Sequence, residues 1–130
     1  MVANKVVVRF KDKSVIKGKT SNFYPDRSFF HLLKNKGEMV EIRLDQLKAI
    51  FFVKDFDGNK DHSDAYGEKI LDGGRKLKVI FADGETIVGY TTGYLPDRQG
   101  FYMVPADLKG NNERLFVVKS ATKKIEMVLS

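Results

Sequence analysis

Apolar and polar residues alternate along short stretches of this chain, and polar turns separate the stretches. From Lys5 to Phe10, Val6, Val8 and Phe10 share one side, while Lys5, Val7 and Arg9 share the other. Period two with β-branched residues predicts a strand. The pattern returns from Lys76 to Phe81, with Leu77, Val79 and Phe81 inward. A polar turn follows each strand, Lys11-Asp12-Lys13-Ser14 in one case and Ala82-Asp83-Gly84-Glu85 in the other. Asp-Gly is a strong hairpin dipeptide. Lys13 stands where the second turn has its Gly, so the first turn is expected to be strained or of another type. Second strands start near Val15 and Thr86, with Ile16 and Ile87 inward. Gly18 and Gly89 interrupt them and predict a bend or bulge. Third strands are expected at Phe29 to Leu33 and Phe101 to Val104, and fourth strands at Val40 to Leu44 and Leu115 to Val118. Fifth strands are expected at Leu47 to Val53 and Thr122 to Val128. Short helical turns at Asp45-Gln46-Leu47 and Ser120-Ala121-Thr122 precede the fifth strands.

These parallels come from an internal repeat. Phe10 to Leu33 aligns with Phe81 to Val104 without a gap, at a shift of 71 (81 − 10), and nine of the 24 positions are identical. Four extra residues within Lys109-Gly110-Asn111-Asn112 raise the shift to 75 beyond that point. Repeats of this kind are read as architecture first. The expectation is an all-β chain of two tandem five-stranded units, residues 1–54 and 75–130, joined by an acidic linker, 55–74. A unit of about fifty residues buries little core on its own. Phe29, Phe51, Tyr102 and Phe116 fall on the phase opposite the inward set and are candidates for an interface between the units or, equally, for a second core layer. A pseudo-twofold or a simple translation would relate them.

Composition narrows the class. The chain has no Cys, which excludes disulfides and Cys-based metal sites. Its longest apolar run, Ala49-Ile50-Phe51-Phe52-Val53, is too short to span a bilayer, and the start lacks the layout of a signal peptide. A soluble cytoplasmic protein without a membrane partner is expected. The net charge of +6 divides into +7 for residues 1–54, −4 for 55–74 and +3 for 75–130. A basic first half points to an anionic partner, although Lys also guards the surface of many β-proteins.

Candidate chemistry is sparse. No phosphate-binding Gly loop of the G-x-x-x-x-G-K type and no G-x-S-x-G elbow occurs. His31 and His62 stand alone, so no enzyme and no cofactor is expected. Asp57, Asn59, Asp61 and Glu68 match places 1, 3, 5 and 12 of a calcium loop, but His62 occupies the place of its required Gly. Tyr24-Pro25-Asp26-Arg27 and Leu95-Pro96-Asp97-Arg98 predict turns. Arg has no turn role, so Arg27 and Arg98 either stack on a neighbouring aromatic or reach for an anion. Arg9, Lys11, Lys13, Lys17 and Lys19 gather around the first hairpin, whereas the last four have Ala82, Gly84, Val88 and Tyr90 as counterparts. With Arg27 and Arg98 they are the candidate nucleic-acid-binding residues, for RNA or DNA. The alternative is a protein-interaction or scaffold module, with a protein partner or a further copy of the chain.

The stretch LKAIFFVKDFDG (47–58), following FYPDRSFFHL, resembles a family of small uncharacterised bacterial proteins, mainly over residues 6–58. That resemblance implies no site residues. The five-strand rhythm separately resembles the Sm-like and SH3-like small barrels. Many of those bind RNA, peptides or modified side chains, which implies a binding module and no particular ligand.

Overall fold

The period-two stretches form ten strands in a computed structural model that describes residues 3–54, 75–91, 98–105 and 112–128. The expected linker with its Asp57–Glu68 loop and the second Pro-Asp turn lie outside the described residues. The first unit comprises β1 (Asn4–Phe10), β2 (Val15–Thr20), β3 (Phe29–Lys34), β4 (Met39–Arg43) and β5 (Leu47–Val53). The second comprises β6 (Arg75–Phe81), β7 (Thr86–Thr91), β8 (Gly100–Pro105), β9 (Asn112–Val118) and β10 (Thr122–Met127). A single 3-10 turn precedes each fifth strand, at Leu44–Gln46 and Lys119–Ala121. The short helical turns were therefore expected within one residue of where they lie.

The ten strands make one continuous antiparallel sheet, in the order β10-β6-β7-β8-β9-β5-β1-β2-β3-β4. Two separate barrels were the expectation, but among the described residues the sheet is open at both ends and runs unbroken through both units. Within each unit the order is the same, fifth-first-second-third-fourth. The join is β5 on β9, with Ala49 opposite Val117, Ile50 opposite Phe116 and Phe51 opposite Leu115. It pairs unlike strands, the fifth of one unit with the fourth of the other. A twofold would pair like with like, so the expected pseudo-twofold is not the relation between the units.

The join explains the unbroken apolar run. Ile50, Phe52, Phe116 and Val118 lie in one core with Val6, Val8, Phe30, Leu32, Ile42 and Leu44. Ala49, Phe51, Val53, Leu115 and Val117 lie in another with Leu77, Val79, Phe81, Phe101 and Met103. Central strands covered on both faces need apolar residues at consecutive positions, and all seven residues of β5 are buried. Each half of the sheet therefore curls over the opposite face of the β5–β9 ribbon. Phe51 and Phe116 cross into the other unit's core, as an interface requires. Tyr102 packs half-buried against the first core, whereas Phe29 stays exposed at 38%.

Gly18 and Gly89 occupy equivalent places. β2 meets β3 at Gly18 and β7 meets β8 at Gly89. A Cβ on Gly18 would lie 2.5 Å from the Leu33 carbonyl oxygen, and one on Gly89 would lie 2.4 Å from that of Val104. Close approach of the next strand excludes a side chain there.

Candidate nucleic-acid interface

The first hairpin repeats the geometry of the second at a steric cost. Gly84 has φ 96° and Lys13 has φ 76°. Gly84 N–H donates to the Phe81 carbonyl at 2.9 Å, and Lys13 N–H donates to that of Phe10 at 3.0 Å. The turn is thus the same type in both units, and Lys13 accepts the left-handed backbone. Asp12 Oδ1 accepts from the Ser14 N–H at 2.9 Å and from its hydroxyl at 2.5 Å. Those bonds hold the Asp12 carboxyl below its ordinary value.

Part of the basic cluster bonds to the second unit. Lys11 Nζ donates to Ser120 Oγ at 2.8 Å. Arg9 lies over the Phe51 ring at 4.9 Å and pairs with Glu85 at 3.7 Å. Lys48, which sequence reasoning passed over, is 7% exposed. Its Nζ donates to Asp83 Oδ2 at 2.8 Å and to Glu85 Oε1, and it sits 4.8 Å from the centre of the Phe81 ring. Burial pushes the Lys48 pKa down, but the bonds to Asp83 and Glu85 outweigh it and the net direction is up. Asp83 is held low by the Lys48 bond and by the Glu85 N–H. A bulge aims Lys48: Arg9 opposes Ala49 and Phe10 opposes Leu47, which leaves Lys48 as the extra residue. The signal was present, because the inward residues Leu47 and Ile50 are three apart, an odd step in a period-two strand.

The remaining cations divide. Arg27 N–H closes the expected turn onto the Tyr24 carbonyl at 3.0 Å, and the guanidinium sits 6.0 Å from the Tyr24 ring. Arg98 is exposed, two residues before β8 begins. Lys17 and Lys19 project from the outer face of β2, opposite Val7 and Lys5 of β1. The seven candidates therefore do not form one surface.

What forms instead is a mixed face. Directly opposed residues of an antiparallel pair share a side. Lys5 opposes Lys19, Lys19 opposes Leu33, and Leu33 opposes Met39. This row crosses four strands, two cations followed by two exposed apolar side chains, with Leu33 at 40% and Met39 at 60%. Val15, on the same face of β2, is 50% exposed. Along β3 the face continues through His31 to Phe29, whose rings meet edge-on at 5.6 Å. Asn22 fixes His31: its Oδ1 accepts from the His31 N–H at 2.9 Å, and its side-chain amide lies 3.0 Å from Nδ1. Glu41, opposite His31 on β4, adds an acid to this surface. The outward phase of β3 carries these residues in the sequence, where Phe29 is a candidate for an interface between the units.

Among the described residues no helix is long and apolar enough to cross a membrane. No curated protein and no solved structure matches the chain. A family of unknown function (DUF6982) matches residues 2–129, across both units and the segment between them, and the chain belongs to that family.

Proposed function

We propose that this protein is a non-catalytic binding module for single-stranded nucleic acid, RNA foremost, held on the outer face of β2, β3 and β4. The observation that carries the reading is the row Lys5–Lys19–Leu33–Met39, bordered by the fixed Phe29–His31 pair. Single-strand sites combine cations that track phosphates with apolar and aromatic surfaces on which bases stack. Lys5, Lys17 and Lys19 supply the charge, and Phe29, His31, Leu33 and Met39 supply the platform. The fifth-first-second-third-fourth strand order of each unit supports the resemblance to Sm-like and SH3-like barrels. An RNA partner also fits the bacterial cytoplasm expected from the sequence.

The test is fluorescence anisotropy with single-stranded RNA and DNA probes at low salt. Replacing both Lys17 and Lys19 with Glu abolishes binding and leaves thermal stability nearly unchanged. Each lost phosphate contact also lowers the salt-dependence slope by about one unit. The exposed Val15, Leu33 and Met39 favour a second reading, a protein adaptor with an apolar docking patch. Wild-type protein that shifts no probe at low salt sinks the nucleic-acid reading and promotes the adaptor.

A further inference from the structure

A groove of about 430 Å³ opens between the two units, past the Phe29 end of β3, where Arg43 opposes Phe29. The same segments of the repeat build it from both sides. The end of β4 and its 3-10 turn supply Arg43, Leu44 and Asp45, and the equivalent stretch of the second unit supplies Val118, Lys119 and Ser120. Ser28 and its counterpart Gln99 complete the wall with Arg98. Two equivalent backbone bonds brace it, from the Leu44 N–H to the Ser28 carbonyl and from the Lys119 N–H to the Gln99 carbonyl, both 2.9 Å. The Gln99 side chain also donates to the carbonyls of Pro25 and Arg27, at 2.6 and 2.7 Å. These bonds preform the groove, and a preformed site spends less binding energy on ordering.

Among the described residues three cations line this space, with Asp45 as the carboxylate. Arg43 and Arg98 have no ion pair among the described residues. Guanidinium groups recognise phosphate through two parallel N–H donors, and the Ser28 and Ser120 hydroxyls add donors beside them. Asp45 adds an acceptor to the lining, which a hydroxyl-bearing ligand can use. We infer that the inter-unit groove binds a small phosphate-bearing ligand of nucleotide size, with Arg43 and Arg98 on the phosphate. The volume lies within the range that encloses such ligands.

Two sources share this chemistry, a free nucleotide and the phosphorylated end of a strand. Amide NMR titrations with inorganic phosphate, adenosine monophosphate, and one oligonucleotide with and without a 5′-phosphate separate them. Shifts at Ser28, Leu44, Gln99 and Lys119 on adding the monophosphate support the site and a free nucleotide. Shifts only with the phosphorylated oligonucleotide support the site and a strand end. In Arg43→Ala/Arg98→Ala protein, melting as wild type, affinity for the responding probe falls roughly tenfold or more, as expected for losing charge-assisted bonds. Lys17→Glu/Lys19→Glu protein keeps the groove shifts with inorganic phosphate and adenosine monophosphate, probes too small to need the outer face, so the two sites are tested separately. Shifts that survive in the double Arg variant overturn the inference. So does the absence of shifts at these four residues with millimolar phosphate, monophosphate and phosphorylated oligonucleotide.

Discussion

Lys13 holds a backbone conformation that its counterpart Gly84 adopts without steric cost. Lys13→Gly should therefore stabilise the protein by about 1 kcal/mol, measured by urea denaturation. An unchanged or lower midpoint would mean that the strain is absorbed elsewhere. Lys48 makes the opposite case, a cation whose loss should hurt. The Asp83 pKa is depressed in the folded state, so its pairing contributes above the ordinary value of 3.8 and fades as pH falls through the folded value. The Lys48 pKa is raised, so its share is complete below 10.5 and is lost as pH climbs through the folded value. Wild type should thus melt higher than Lys48→Met protein across the neutral range. The gap should close in strong acid and again in strong alkali. A gap independent of pH would assign Lys48 a packing role alone.

Strands β5 and β9 show what a one-dimensional pattern leaves out. Alternation placed the first strands and the fourth strand at Val40 to Leu44, and alignment of the repeat placed the strands at Leu115 to Val118 and Leu47 to Val53, where alternation fails. A buried run does not say which neighbours cover its second face. Phe51 was assigned to an interface because of its phase, and its actual neighbours, Leu77 to Phe81 and Phe101 to Met103, belong to the other unit. The row Lys5–Lys19–Leu33–Met39 was hidden for a related reason, since its members lie on four strands and meet only once register is fixed. Arg9 and Lys11 looked like ligand-seeking cations because charge can be read from sequence and intramolecular partners cannot. Phe51→Ala should destabilise by about 3–5 kcal/mol, the range for emptying a buried aromatic site. In proton NMR its effect should be largest on the methyl groups of Leu77, Val79 and Leu115, in the second unit. Shifts confined to residues 3–54 would contradict the shared core.

At the scale of the molecule, neither unit completes its core alone. The first lacks Phe116 and Val118 without the second, and the second lacks Ala49, Phe51 and Val53 without the first. One cooperative unfolding transition is expected by calorimetry, and two separable transitions would argue for independent units. The join has a further consequence. Because it links a fifth strand to a fourth, it is head to tail, and such links have no intrinsic stop: the free β10 of one molecule matches the free β4 of the next. What differs is the outward phase of the edges. Where β5 has Ala49 and Phe51, β10 has Lys124 and Glu126; where β9 has Phe116 and Val118, β4 has Glu41 and Arg43. Charges on an edge strand oppose further pairing. Lys124→Ala/Glu126→Phe combined with Glu41→Phe/Arg43→Val should convert a species of constant sedimentation coefficient into concentration-dependent filaments or rings. Four side chains, on this view, separate a self-contained pair of repeats from an open-ended polymer.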